Sequence, residues 1–437
     1  MSVIARWLRF LLIVVGLAKG SDVPGAAPPN FIVILCDDLG YGDVGCFGAE
    51  KIRTPRVDRM ATEGMRFTDF YAPSPLCSPS RAGLLTGCYP RRVGLAKFVL
   101  RPDATTGIHP DEVTIAELLK GRGYATCAIG KWHVGFLPPF RPGAQGFDYY
   151  FGIYHNLDHW ETKHFEGQGG VPLLRNEEVV LRPATPEILT ERYTEEALGF
   201  IERNRERPFF IYLAHTMPHL PYDVTPRFNG RSAGGLYGDV VECLDWSTGE
   251  ILDGLVRLGL DKRTIVVFTS DNGPDKGSPG SAGSLRGQKH TVFEGGMRVP
   301  CVMWGPGQIP AGSVCNEVAS TIDLLPTFGA MAGAPPPRDR VIDGRDIRAL
   351  LFGEVGARSP HEAFFFHDGN GVLRAVRSGR WKLHVSPKQA LYDLGTEIGE
   401  QADDSAAHPE VVARLRGMFD AFELEIGVSA RPVGRGE

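Results

Sequence analysis

Two pairs of oxygen-bearing residues, Asp37-Asp38 and Asp271-Asn272, stand just after the short apolar runs Phe31-Ile32-Val33-Ile34-Leu35 and Thr264–Thr269. Together they offer three carboxylates and one amide oxygen, an all-oxygen donor set that suits a hard divalent cation, and calcium tolerates irregular geometry better than magnesium. Either pair alone also fits a turn at a strand end, because Asp and Asn favour turns; two pairs after two strands point to a metal. Two more apolar runs end in cations and imidazoles: Ala125–Ile129 leads to Lys131 and His133, and Phe209–Leu213 leads to His215 and His219. A histidine two residues beyond a lysine at a strand end is placed for proton transfer beside bound negative charge. Cys77-Ser78-Pro79-Ser80-Arg81 precedes the apolar stretch Ala82-Gly83-Leu84-Leu85-Thr86. Pro79 sits where a helix starts, which puts Cys77 at the positive end, where an anion is favoured. Arg81, four positions on, projects from the same side of the first turn and can meet an oxyanion.

These residues need elements to carry them to one place. The four apolar runs, with a fifth at Val299–Trp304, alternate with helix-like stretches such as Glu112–Lys120 and Val240–Leu258. That alternation predicts an α/β fold, a large, mixed but mainly parallel central sheet sandwiched by helices. In such sheets ligands bind beyond the carboxyl ends of the strands, and four of the runs finish there in chemically capable residues. Ala334-Pro335-Pro336-Pro337 marks a boundary. Beyond it, strand-like pieces at Ala363–His367, Leu373–Val376 and Trp381–Val385 and a helix around Pro409–Leu424 predict a smaller α+β domain with an antiparallel sheet. The expected division is a catalytic domain over 31–334 and a smaller domain over 338–437.

Cys77-Ser78-Pro79-Ser80-Arg81 matches a Cys-x-Pro-Ser-Arg signature, and on it the chain resembles the formylglycine-dependent sulfatases of the alkaline phosphatase superfamily. The resemblance continues through Asp37-Asp38, Gly130-Lys131-Trp132-His133, Pro218-His219-Leu220-Pro221, Ser270-Asp271-Asn272-Gly273, Lys289 before Phe293-Glu294-Gly295-Gly296, and Leu391-Tyr392-Asp393-Leu394. It implies that Cys77 is oxidised to formylglycine by a separate formylglycine-generating enzyme, and that Asp37, Asp38, Asp271, Asn272 and the modified Cys77 bind one calcium ion. Arg81 and Lys131 would hold the formylglycine and the sulfate charge, and His133 would be the base that expels sulfate. His219 and Lys289 would grip the sulfate and assist the leaving alcohol; the Pro-His-x-Pro context favours His219 over His215, which is left a supporting place in substrate binding.

The chemistry stands on its own as well. A sulfate ester repels nucleophiles by its negative charge, and a metal with several cations neutralises that charge as the transition state forms. In a gem-diol, one hydroxyl attacks sulfur, and loss of the other proton lets the carbon–oxygen bond break and regenerates the aldehyde. The sequence departs from related arylsulfatases at Gly152-Ile153-Tyr154-His155-Asn156, where they place a small hydroxyl residue. Cys36 before the Asp pair is unusual, and Cys88 lies close enough to the signature to be a disulfide candidate. The stretch Tyr154–Phe165, with His155, Asp158, His159, Trp160 and His164, offers polar and stacking groups for a sulfated sugar.

The chain has 437 residues, 43% hydrophobic and 23% charged, with a formal charge of -5. It is an ordinary globular composition, and without a basic run interleaved with aromatics it predicts no nucleic-acid partner. Arg6 and Arg9, the apolar run Phe10–Ala18 and the small-residue site Ala18-Lys19-Gly20 form a signal peptide over 1–20, followed by a linker over 21–30. Export to a periplasm, an extracellular space or a lysosome follows, with no membrane span in the mature chain. Eight cysteines are scattered without metal-type pairing. Two rival readings are a phosphoester or phosphonate hydrolase of the same superfamily and, should Cys77 stay a thiol, a secreted binding protein without turnover.

Overall fold

The structure is a computed structural model and describes residues 28–436. The signal peptide and most of the linker lie outside the described residues.

Strands Asn30–Cys36, Ala125–Lys131, Phe209–Ala214 and Thr264–Ser270 are buried along their whole length. Their continuous apolar runs are what burial on both faces demands. Phe31, Val33 and Leu35 enter one apolar cluster while Ile32, Ile34 and Cys36 enter another on the opposite face. The first face is covered by helices Cys77–Thr86, Ile115–Lys120 and Leu324–Met331, and the second by Pro55–Glu63, Pro186–Arg203 and Gly235–Arg257.

The central sheet has ten strands. From one edge they run Ser313–Cys315, Met65–Phe67, Cys301–Trp304, Thr264–Ser270, Asn30–Cys36, Phe209–Ala214, Ala125–Lys131, Tyr149–Ile153, Leu173–Arg175 and Glu178–Leu181. The five from Thr264–Ser270 to Tyr149–Ile153 are parallel, and the strands flanking them on either side run antiparallel to their neighbours. Cys36 pairs with Ser270, Leu35 with Ala214 and Gly130 with Ala214, so the carboxyl ends of four strands finish level. Asp37, His215, Lys131 and Asp271 all leave the sheet at that edge.

Beyond residue 360 the strands Phe364–His367, Leu373–Ser378, Trp381–His384 and Ala390–Asp393 form an antiparallel sheet. Helix Pro409–Ser429 covers one face through Leu415 and Phe419. The other face sets Phe364, Phe366 and Ala375 against Tyr71, Met297 and Ile322 of the larger body. A buried Glu294 carboxylate ties the two together, 2.8 Å from Lys382 Nζ and 2.6 Å from the Tyr71 hydroxyl. The last strand, Gly434–Arg435, returns to pair with Thr106–Gly107.

Some boundaries move. The helix expected from Glu112 begins at Ile115, because Thr114 caps it and accepts from Glu117 N at 3.1 Å while Glu117 returns a bond to Thr114 N. No described helix is long and apolar enough to cross a membrane.

Candidate active site

Cys77 opens the helix Cys77–Thr86, which is buried throughout, and Leu76 before it is extended and brings no side-chain cap to the first-turn N–H groups. Cys77 itself is 1% exposed. Burial pushes its thiol up to about 12, against the pull of Lys131 and Lys289. A thiol held there is not a thiolate at neutral pH, so Cys77 as it stands is a poor nucleophile.

Arg81, one turn on, is fully buried. Its Nε donates to Asp271 Oδ2 at 2.9 Å, its Nη2 lies 2.8 Å from the same oxygen, and its Nη1 donates to the Lys131 carbonyl at 2.8 Å. The guanidinium thus braces the strand ends from behind. Its Nη2, buried and without a hydrogen-bond partner of its own, is the one end of the fork left to meet an oxyanion.

Three more cations or imidazoles face the acidic residues. Lys131 Nζ is 2.5 Å from Asp37 Oδ2, and Lys289 Nζ is 2.7 Å from Asp38 Oδ2. Burial alone would raise the Asp37 carboxyl, but Lys131 and Arg81 overcome it and hold the group well below the carboxylate range. Asp271 goes the other way, pushed up by burial and by the neighbouring Asp37 charge. His219 Nε2 lies 3.7 Å from Asp38 Oδ2 and 3.4 Å from Asn156 Nδ2. His133 Nε2 sits 3.0 Å from the Leu100 carbonyl and its backbone N–H donates to Tyr154 O at 2.9 Å. Burial, then Lys131, drives the His133 imidazole well below its ordinary value, so it is neutral at pH 7. Asp38, His133 and His290 all take positive φ, at 65°, 61° and 73°, a backbone cost that the surrounding structure imposes around this site.

The donor set fits a cation. Side-chain atoms of Asp37, Asp38, Cys77 and His219 lie within 4.8 Å of one another. Asp37 Oδ1 and Asn272 Oδ1 are buried and lack any hydrogen-bond partner, which is costly for an acceptor unless a positive ion meets it. Asn272 Nδ2 donates to Asp38 Oδ1 at 2.7 Å, an arrangement that aims its carbonyl oxygen elsewhere. Asp271 stands behind, its Oδ1 accepting from Asp38 N and its Oδ2 held by Arg81.

His215 does not join them. Its Nε2 is 3.4 Å from Ser247 Oγ and its ring packs near Tyr193, under the helices of the second face, and burial lowers it to about 3. Strand alternation turns it away, and the substrate-binding place expected for it is withdrawn. The Tyr154–Phe165 stretch also splits: His155 is buried against Phe136, Asp158 caps a short helix, and Trp160 stays exposed. All eight cysteines are free, including Cys88, whose Sγ faces the Thr86 carbonyl. Asn156 and the Leu100 carbonyl were missed; a backbone acceptor leaves no mark on a sequence, and Asn156 was noted only as part of a divergent segment.

A family model described as Sulfatase matches residues 29–334, the stretch that holds every one of these groups. The chain belongs to the sulfatase family. It is a sulfuric ester hydrolase, and its relatives bear that name. Arylsulfatase A of Homo sapiens is 39% identical over 96% of this chain and 93% of its own length. N-acetylgalactosamine-6-sulfatase of Sus scrofa is 41% identical over 88% of this chain and 77% of its own. Among solved structures, Ps i-CgsB in complex with k-i-k-neocarrahexaose aligns with a TM-score of 0.82 at 30% identity, covering 90% of this sulfatase and 92% of that chain.

Proposed function

We propose that this sulfatase hydrolyses the sulfate ester of a sulfated carbohydrate or an aryl sulfate, with a formylglycine made from Cys77 and one bound calcium. The observation that carries the reading is the placing of Cys77: it opens a buried helix with its ligand atom within 4.8 Å of those of Asp37, Asp38 and His219, beside the partnerless oxygens Asp37 Oδ1 and Asn272 Oδ1. In place of the thiol, a formylglycine hydrate would supply a hydroxyl nucleophile, and bound calcium would supply positive charge. Asp37, Asp38, Asp271 and Asn272 would hold the ion, consistent with the free oxygens of Asp37 and Asn272.

Lys131 and Lys289 lie where the sulfate charge must be neutralised, their Nζ atoms 2.5 and 2.7 Å from Asp37 and Asp38. Neutral His133 takes the proton from residue 77 when sulfate leaves, its ring held by the Leu100 carbonyl. His219, beside Asp38 and Asn156, serves the departing alcohol. Arg81 keeps Asp271 and strand end Lys131 in place. Residues 31–334 form the catalytic domain and 338–437 the smaller one, and the leader at 1–20 directs export.

The test is mass spectrometry of the tryptic fragment containing Cys77, from protein co-expressed with a formylglycine-generating enzyme, alongside hydrolysis of an aryl sulfate. A loss of about 18 Da at residue 77 together with turnover supports the reading. An unmodified thiol with full turnover sinks it; an unmodified thiol that binds sulfated sugars without turnover favours a binding protein.

A further inference from the structure

A cavity of about 650 Å³ is lined by Leu76, Phe98, Arg101, His290, Asp368 and Asn370. Three of these adjoin the site along the chain. Leu76 precedes Cys77, His290 follows Lys289, and Arg101 follows Leu100, whose carbonyl faces His133. The His290 N–H donates to Pro75 O at 3.1 Å, which binds the Lys289 loop to the Cys77 loop. The fourth wall comes from the C-terminal sheet, where Phe98 N–H donates to Gly369 O at 2.9 Å.

Two features of this cavity are out of place on an ordinary surface. Phe98 is 62% exposed and holds φ 54°, so an aromatic ring is presented to solvent from a strained backbone. Arg101 has no ion pair or side-chain hydrogen bond among the described residues; its guanidinium lies 4.4 Å over the ring of Trp160, itself 55% exposed. Asp368 is no counter-charge, because its Oδ2 accepts from Arg374 at 2.7 Å and its Oδ1 from Asn370 N and Val372 N. The cavity therefore combines an exposed aromatic face, one oriented cation with its donors free, and room beyond a single ring.

Resting on the sulfatase reading above, we propose that this cavity selects an oligosaccharide whose sugar next to the sulfated one carries a second anionic group, bound by Arg101 and stacked on Phe98. Arginine presents a planar fork of donors that fits carboxylate and sulfate alike, and aromatic faces suit the apolar side of a sugar ring.

The experiment uses formylglycine-bearing enzyme and four substrates: 4-nitrophenyl sulfate, a monosulfated disaccharide with no other charge, the same disaccharide with a uronate, and the same with a second sulfate. The last two distinguish carboxylate from sulfate as the anion read. Wild type is expected to prefer an anionic disaccharide over the neutral one by about tenfold or more, the weight of a charge-assisted hydrogen bond. In Arg101→Ala that preference collapses, and Arg101→Lys restores part of it. Phe98→Ala lowers kcat/KM for all disaccharides relative to the aryl sulfate. Calorimetric binding of the same disaccharides to wild type and Arg101→Ala separates the two readings. Arg101-dependent binding without hydrolysis of any ester overturns turnover but supports the cavity. An unchanged preference in Arg101→Ala, or none in wild type, overturns the cavity while leaving sulfatase activity in place.

Discussion

Replacing Lys131 by Met tests the electrostatic balance on which the site stands. Lys131 is fully buried, its Nζ 2.5 Å from Asp37 Oδ2, and around it three carboxylates, Asp37, Asp38 and Asp271, face three cations, Lys131, Arg81 and Lys289. Removing one partner of a buried pair leaves an uncompensated charge and costs about 3–5 kcal/mol. That loss belongs to the metal-free protein. If calcium binds among Asp37, Asp38 and Asn272 as proposed, it would add positive charge beside the Asp37 left unpaired, so ligand-linked stabilisation is expected to be larger in the variant than in wild type. Turnover should fall by roughly 10²–10³-fold, the range seen when one charge-stabilising donor is removed.

The pH dependence follows in sign. Asp37 has a folded value below its unfolded one, so its contribution is present above the unfolded value near 3.9 and is lost as pH falls through the folded value. Without Lys131 that window moves to higher pH and acid denaturation begins earlier. The assay is urea denaturation of both proteins in chelator and in calcium, at neutral and acidic pH. A loss below about 1 kcal/mol in chelator, or a calcium gain no larger than wild type's, would refute the balance described here.

Gly130→Ala should destabilise the fold by at least about 2 kcal/mol and displace Lys131, because Gly130 has φ 102° and an added Cβ would stand 1.8 Å from Ala214 O; thermal denaturation and turnover check both effects. His133→Ala should cut kcat by about 10²–10⁴-fold and leave calcium affinity, read by calorimetry, close to wild type. A retained rate would remove His133 from proton transfer. His367 is buried with neither ring nitrogen bonded, and burial lowers it to about 3, so its folded value lies below the unfolded one and stability is lost as pH falls below about 6.5. His367→Phe should therefore lessen the stability slope between pH 6 and 5 by about 1.4 kcal/mol per pH unit, as followed by urea denaturation at each pH.

The inner sheet was legible because strands buried on both faces, such as Phe31–Leu35, leave unbroken apolar runs that few other elements leave. The rim was not. Glu178–Leu181 is exposed at every position and Met65–Phe67 has three residues, so each pairs through backbone bonds that side chains do not announce. At the site, residue types at the strand ends pointed to one edge, but directions did not follow from types. His215 and Lys131 leave neighbouring strands at the same level, but Gly130, at φ 102°, breaks the alternation ahead of Lys131, and the two part toward Ser247 and toward Asp37. Arg81 shares the Cys77 turn, yet its partner Asp271 is 190 residues away, beyond the reach of local spacing. His155 looked available for a sugar until Phe136, in a separate loop, closed over it.

The burial of Cys77 sets a timetable for biosynthesis. Its helix is tied through Arg81 to Asp271, which is made long after it, and the sheet strand before Asp271 is a central one. At translation rates of about 5–20 residues per second, the 190 residues separating Arg81 from Asp271 take roughly 10–40 s to synthesise. During that interval residue 77 is still on a chain whose walls do not yet exist, and another protein can grasp the segment in extended form. Once the strand ends close, the same side chain is 1% exposed and out of reach. If a second enzyme converts this residue as proposed, the burial requires it to act before the strand ends close, and rapid early folding would work against it.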